Sequence, residues 1–472
     1  MCGFGFTNKQ LDNDQFDSVT EFTRRRGPDK TTRHQENEYF FFHHLLSITG
    51  AFVEQPYIDQ KSDIFCIYNG EIYNHEEFGS FQTDGQCLIP VYQEYGESFC
   101  RQLDGEFALV LVDFKKQRLI VSTDTFSTKP MWLAIEGSQI GVASYSSAVI
   151  RMGFQKAEKV PANTTRVFDL KDLQLLKTIS VNDFDLRQFK ESYDDWITAF
   201  ENSIRKRTRG LREQVFIGLS SGYDSGAIAC ELSRQAVPFM AYTVKSAETP
   251  KVLNERFARH DQNECIKLTR SQYRASKHFL KNNAEDFVFG EYVVTEDWGA
   301  IGLSYVCQSA RRDGYKILLS GQGADEIISD YGFGGTKYLR ESGFGGLFPE
   351  DLSSIFPYTN FYEGAQVKWM FKEESVAGSH GIETRYPFLD KACVQEFLWL
   401  THSLKNLCYK APVGEYLKRN NYPFEEGVKM GFSANKKLVM NLLIPSDLFA
   451  FLKGKLNAIR REIRKLRHGA KN

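Results

Sequence analysis

Two short turns in this sequence have the composition of a phosphate cradle. The first, Ser220-Ser221-Gly222-Tyr223-Asp224-Ser225, follows the apolar run Val215-Phe216-Ile217-Gly218-Leu219 and opens a helical stretch reaching Leu232. Backbone N–H groups at a helix N-terminus, with small side chains that allow close approach, bind anions. The serine hydroxyls add donors, and Asp224 can hold the magnesium that screens a nucleotide's phosphates. The second turn, Ser320-Gly321-Gln322-Gly323-Ala324-Asp325-Glu326, ends the run 315–319 and repeats that chemistry. One glycine-rich loop with an acid is a weak signal. Two that end parallel strands of one sheet reach the same crevice and strengthen each other. The Gly-x4-Gly-Lys-Ser/Thr pattern of the P-loop is absent from the chain.

A different chemistry stands at the start, Met1-Cys2-Gly3. Once Met1 is trimmed, Cys2 carries its own base, an α-amine with a pKa of about 8, beside its thiol nucleophile. Acyl chemistry also needs an oxyanion site. Asn69-Gly70 closes the run 64–68 and offers a side-chain amide and a turn N–H. Taken alone, Met-Cys is commonplace and Asn-Gly is the commonest hairpin turn.

These groups need elements to hold them. The first ~180 residues alternate apolar and polar at period 2, in runs such as Asp63-Ile64-Phe65-Cys66-Ile67-Tyr68 and Arg118-Leu119-Ile120-Val121, which predicts stacked β-sheets. From Glu191 the period becomes helical, with Trp196, Ile197, Phe200 and Ile204 on one face. Strands at 215–219, 239–244 and 315–319 with helices between them predict a doubly wound α/β unit. The expected fold is a two-domain α/β protein: an N-terminal stacked-sheet domain, 1–185, and a C-terminal doubly wound domain, 190–472.

Composition narrows the function. The 472 residues carry 59 basic and 60 acidic side chains, a net charge of -1, which argues against general binding to nucleic acid or anionic membrane. No run approaches the ~18 apolar residues of a membrane span, and the start lacks the pattern of a signal peptide. Nine scattered cysteines without a Cys-x-x-Cys pair read as reduced thiols in a cytoplasmic protein. The segment 451–466 has apolar residues on one helical face and a basic opposite face. A terminal helix docked on the C-terminal domain is favoured for it over a membrane-surface helix.

Together these segments resemble the glutamine-hydrolysing, class B asparagine synthetase family over nearly the full chain. The amino-terminal half resembles its Ntn-hydrolase-like glutaminase domain through Met1-Cys2-Gly3, Arg26-Gly27-Pro28-Asp29, Asn69-Gly70-Glu71-Ile72-Tyr73-Asn74 and Asp104-Gly105-Glu106-Phe107-Ala108. The second half resembles its ATP-pyrophosphatase domain through the two loops, Gly381-Ile382-Glu383-Thr384-Arg385-Tyr386-Pro387-Phe388-Leu389-Asp390 and Lys410-Ala411-Pro412-Val413. The resemblance implies an enzyme using glutamine, ATP and Mg2+. Cys2 attacks glutamine, Asn69 and Gly70 stabilise the oxyanion, and Glu71 and Asp84 bind the α-ammonium. Ammonia crosses internally to a carboxylate adenylated by ATP. Leu219, Ser220, Gly222, Asp224, Ser225, Val244, Ser320 and Gly321 are the implied ATP contacts. Asp224 and Asp325 are the implied metal residues, with Gln322 and Lys410 in catalytic positions.

The chain also departs from the family pattern. Leu45 stands where an arginine usually clamps the glutamine α-carboxylate, a loss of about 1.5–3 kcal/mol unless His43 or His44 compensates. Gln322 replaces a glutamate linked to acyl-adenylate formation. Ser127, Tyr145 and Gly414 stand at positions usually glycine, glutamate and arginine. Three readings follow: amidation of aspartate, amidation of another acid such as a uronate or a peptide carboxylate, and a non-catalytic nucleotide or glutamine sensor. The expected partners are small molecules, with no nucleic acid and no stable membrane insertion; a homodimer is compatible with this reading.

Overall fold

The computed structural model describes residues 2–245, 248–289 and 292–429. The amphipathic pattern at 451–466 lies outside them. Up to Ser180 the alternating runs fold as antiparallel strands: β1 (Gly3–Thr7), β2 (Lys30–Glu36), β3 (Tyr39–Leu45), β4 (Tyr57–Asp59), β5 (Ile64–Ile72), β6 (Gly105–Asp113), β7 (Arg118–Thr123), β8 (Trp132–Glu136), β9 (Gln139–Ala143), β10 (Glu158–Lys159), β11 (Thr164–Asp169) and β12 (Leu175–Ser180). They form two six-stranded sheets, ordered β10-β8-β9-β1-β3-β2 and β12-β11-β7-β6-β5-β4. Phe4, Phe6 and Phe41 of the first sheet are buried with Phe65, Val110 and Val121 of the second in one apolar core. Burying each such side chain contributes roughly 1.5–3 kcal/mol, which is why the period-2 pattern decides the layer.

The second half holds a five-stranded parallel sheet: β13 (Val215–Gly218), β14 (Phe239–Val244), β15 (Asn263–Ile266), β16 (Ile317–Leu319) and β17 (Glu383–Arg385). The order is β15-β14-β13-β16-β17. Around it pack α1 (Asp194–Thr208), α2 (Tyr223–Arg234), α3 (Trp298–Arg312), α4 (Gly364–Ser379) and α5 (Ala411–Arg419). The α1 face expected from spacing is the buried one: Trp196, Ile197, Phe200 and Ile204 all lie in the core. From β13 the chain runs to β14 on one side and β16 on the other. That switch in strand order opens a crevice at their C-terminal ends.

The structure adds β15 and β17 to the three strands expected in this sheet. The strand expected at 315–319, β16, begins at Ile317. Asn69-Gly70 is not a hairpin turn. The strand β5 runs on through both residues because β6 pairs with its whole length, Gly70 opposite Phe107 and Ile72 opposite Gly105.

Candidate active sites

At the amino end, Cys2 immediately precedes β1 and is buried. Its backbone nitrogen donates to Asn69 Oδ1 at 2.7 Å, and its carbonyl accepts from Arg26 Nε at 2.9 Å. The Asn69 amide nitrogen is buried and meets no hydrogen-bond partner among the described residues. An orphaned donor beside a thiol is costly unless a ligand oxygen completes it. Gly70 has φ +150°, and a Cβ there would sit 2.0 Å from the Glu106 carbonyl oxygen, so only glycine lets β6 lie this close. Burial pushes the Cys2 thiol up to about 11.

The two carboxylates expected at this pocket are already engaged. Asp84 Oδ2 accepts from Tyr68 Oη at 2.6 Å and from the Ile72 N–H at 2.8 Å. Glu71 Oε1 accepts from Thr49 Oγ1 and pairs with Arg385 Nη2 at 2.7 Å. Burial lifts the Glu71 carboxyl above the usual range; Arg385 opposes that rise and Asp84 adds to it. Arg385 belongs to β17, in the other half of the chain, where its Nε also pairs with Glu383 at 2.7 Å. The motif that carries Arg385 is visible in the sequence, but its reach to Glu71 is not.

At the crevice, the Ser220 N–H donates to Ser225 Oγ at 3.0 Å and the Gly222 N–H to Ser220 Oγ at 3.1 Å, which curls the loop onto the start of α2. Arg256 Nη1 holds the Ser220 and Gly222 carbonyls from below. Room for it comes from Gly226, where a Cβ would fall 2.3 Å from Arg256 Nη2. The Glu248 carboxylate accepts from the Ser221 N–H and hydroxyl. The loop's donors therefore already bind an anionic oxygen, the chemistry a phosphate would present.

Asp224 and Asp325 face each other across the Lys410 ammonium, which reaches both Asp224 oxygens at 2.7 Å and Asp325 Oδ1 at 3.0 Å. Lys429 adds a second cation 3.2 Å from Asp325, and Tyr409 Oη donates to it at 2.7 Å. Burial raises Asp224, whereas Lys410 and Lys429 overcome burial at Asp325 and hold it below the usual carboxylate range. Lys410 itself sits at φ +50° just before α5, a conformation costing a non-glycine residue roughly 1–2 kcal/mol and tolerated where surrounding contacts fix it. Among the described residues no group of three His, Cys, Asp or Glu side chains gathers to hold a metal. Two carboxylates with a nucleotide's phosphates are the usual set for magnesium, and a cation already stands between these two.

A cavity of about 410 Å³ opens here, lined by Ser220, Asp224, Ser225, Ser320, Gly321, Gln322 and Asp325. Leu219, Gly222, Val244 and Lys410 are not among its lining residues. The Leu219 N–H and carbonyl are spent on the Tyr242 carbonyl and the Thr243 hydroxyl, at 2.8 and 2.6 Å. The Gln322 side-chain amide donates to Glu326, which also accepts from the Gly323 N–H and the Tyr331 hydroxyl. Sequence reasoning missed Glu373 of α4, which lines the same cavity and accepts from Ser320 Oγ at 2.6 Å. Its neighbours in the chain carry no recognisable spacing.

The sequence pattern of the glutamine amidotransferase domain matches residues 1–174, and that of asparagine synthase matches residues 196–358. The chain belongs to the glutamine-hydrolysing asparagine synthetase family. Membership makes it an ATP-dependent ligase that takes nitrogen from glutamine. A Methanocaldococcus jannaschii relative is 26% identical over 386 residues, 75% of this chain and 68% of that one. The Gallus gallus asparagine synthetase is 24% identical over 449 residues, covering 84% and 76% of the two chains. The Homo sapiens asparagine synthetase is 23% identical over 427 residues, covering 80% and 73%.

The departures from the family pattern have structural settings. Leu45 is buried two residues along β3 from His43. Burial takes His43 and His44 down to about 3, so neither carries the charge of the missing arginine. Tyr145 keeps a hydrogen bond from Arg26 Nη1 at 2.8 Å, while Glu374 supplies the counter-charge at 2.8 Å. Ser127 occupies φ +51°, the backbone region that favours the usual glycine.

Proposed function

We propose that the protein amidates a carboxylic acid with nitrogen released from glutamine, aspartate being the family's default acceptor. One observation carries the reading: β17, the last strand of the parallel sheet, delivers Arg385 to Glu71 in the Cys2 pocket. A sensor of ATP or glutamine has no need of a fixed link between a thiol pocket and a nucleotide crevice. We place the division at 1–185 and 190–472.

In the amino-terminal site the Cys2 thiol is held protonated by burial, so its attack needs a base. The α-amine of Cys2, free once Met1 is removed, takes that proton. The sulfur bonds to the glutamine side-chain carbonyl, and the Asn69 amide with the Gly70 N–H receives the oxyanion. Ammonia leaves, and water hydrolyses the thioester to glutamate. In the crevice the acceptor carboxylate attacks the α-phosphate of ATP and pyrophosphate departs. The loop 220–225 and Lys410 neutralise the phosphates. Asp224 and Asp325 would hold magnesium, whose charge screens them further. Ammonia then displaces AMP.

All nine cysteines are free thiols, and no helix among the described residues is long and apolar enough to cross a membrane. We read the protein as a cytoplasmic enzyme whose partners are small molecules. Gln322 favours a second reading, an acceptor other than aspartate, because the amide removes charge and basicity from the loop nearest the acyl transfer. Pyrophosphate release titrated with aspartate and a panel of uronic and peptide acids, plus mass analysis of the product, decides between them. ATP binding with no acid-dependent turnover anywhere in the panel would leave only the sensor.

A further inference from the structure

The amidation reading leaves one proton unassigned. Ammonia attacks the acyl carbon and becomes positively charged, and that proton must leave before or as AMP departs. The loop at 320–326 offers no base for it. The Gln322 amide is turned into Glu326, and both Glu326 oxygens are taken by donors from Gln322, Gly323 and Tyr331. Asp224 and Asp325 are neutralised by Lys410 and Lys429. Asp297, which also lines the cavity, caps α3 by accepting from the Ala300 N–H at 2.8 Å and stands 4.0 Å from the Lys372 ammonium.

Glu373 differs from all of these. It projects from α4 into the cavity beside Ser320 and Gln322, and among the described residues its one hydrogen bond comes from Ser320 Oγ to Oε2 at 2.6 Å. Among the described residues no hydrogen-bond donor reaches the other oxygen, Oε1. We propose that Glu373 is the general base of the amide-forming step, the carboxylate that the loop lacks at position 322. In that step the nitrogen–carbon bond forms, the bond from the acyl carbon to the AMP oxygen breaks with its electron pair leaving on AMP, and the nitrogen's proton passes to Glu373.

Its surroundings suit the role. Burial raises the Glu373 carboxyl to about 7; the Ser320 hydroxyl and Lys372 oppose the rise, and Glu374 adds to it. From the neighbouring elements Cys307 of α3 and Tyr386 beyond β17 also face it, and both are neutral because burial lifts them far above the working range. A base near neutral pH is the one general-base catalysis rewards, by roughly 10²- to 10⁴-fold.

This inference rests on the amidation reading, and the test separates the two. Full-length wild type, Glu373→Gln and Glu373→Asp are assayed with ATP, the acid panel and ammonium chloride as nitrogen source. Acid-dependent ATP–pyrophosphate exchange reports adenylation, and amide product reports the second step. We expect Glu373→Gln to retain exchange within a few-fold while amide formation falls at least ~100-fold. Glu373→Asp should recover part of that loss, and the acid limb near pH 7 should disappear from the Gln variant's residual rate. Equal loss of exchange and product would make Glu373 a binding or structural residue and overturn the proposal. So would wild-type product rates with an unchanged pH profile, although amidation would stand. Absence of acid-dependent exchange in the wild type would overturn the amidation reading, and this inference with it.

Discussion

Cys2, Leu45 and Gln322 divide the chemistry between what is kept and what is altered. Replacing Cys2 with alanine should abolish glutamate release yet leave ammonium-driven synthesis within a few-fold, measured as product with each nitrogen source. Leu45→Arg should lower the KM for glutamine by roughly 10- to 100-fold, the worth of a charge-assisted clamp. An unchanged KM would mean the α-carboxylate is held elsewhere. Gln322→Glu should raise aspartate-dependent pyrophosphate release if the scaffold is otherwise tuned for aspartate. A pH effect belongs at this scale too. Burial sets Glu326 and Glu373 near 7, against about 4.3 for a glutamate in the unfolded chain. Between those values the folded state holds protons the unfolded state has released, so stability falls as pH rises from about 4.5 to 7. The Tm of Glu373→Gln, followed by calorimetry across that window, should fall less steeply than that of the wild type.

At the scale of elements, β13, β14, β16 and α1 were legible because each is a single apolar run or face bounded by turn residues, whereas β15 (Asn-Glu-Cys-Ile) and β17 (Glu-Thr-Arg) carry no apolar run. Asn69-Gly70 misled because the dipeptide is the strongest short hairpin signal, while the length of β6 alone keeps β5 extended through it. The strand needs its glycine. Gly70→Ala should push β6 away from β5 and remove glutaminase activity, with ammonium-driven synthesis surviving as the control. Arg385 and Glu373 were not legible as site residues, since their partners Glu71 and Ser320 are distant in sequence and only β17 and α4 bring them together. Arg385→Met should leave Glu71 buried without its cation. Breaking such a pair costs roughly 3–5 kcal/mol, visible as a lower Tm together with lost coupling of glutamine hydrolysis to ATP turnover.

Across the whole molecule the two halves meet through buried ions. Arg26 pairs with Glu374 at 2.8 Å, and Lys129 stands between Glu374 and Glu106 at 3.4 and 3.3 Å. Arg207 pairs with Glu106 at 2.8 Å and with Asp390 at 2.9 Å, and Lys206 reaches Asp104 and Asp390 at 2.7 and 2.5 Å. Acid and base alternate along this chain of pairs, four of which cross from one half to the other, and most of these groups are almost wholly shielded from water. The helix α4 takes part in both worlds: Glu374 holds Arg26, whose Nε reaches the Cys2 carbonyl, and Glu373, the next residue, faces the nucleotide crevice.

Such a border limits modularity. Synthesised as two polypeptides cut between 185 and 190, each piece would carry naked charges on a surface shaped for the other, Arg26 and Glu71 on one and Glu374 on its complement. Neither piece should be recovered soluble alone, while co-expression should return a stoichiometric pair, read by affinity pull-down. The same logic restrains engineering. A foreign glutaminase grafted onto this synthetase must bring the alternating acids and bases of its own frontier, or the graft will inherit two orphaned sets of ions where the parent had one neutral seam.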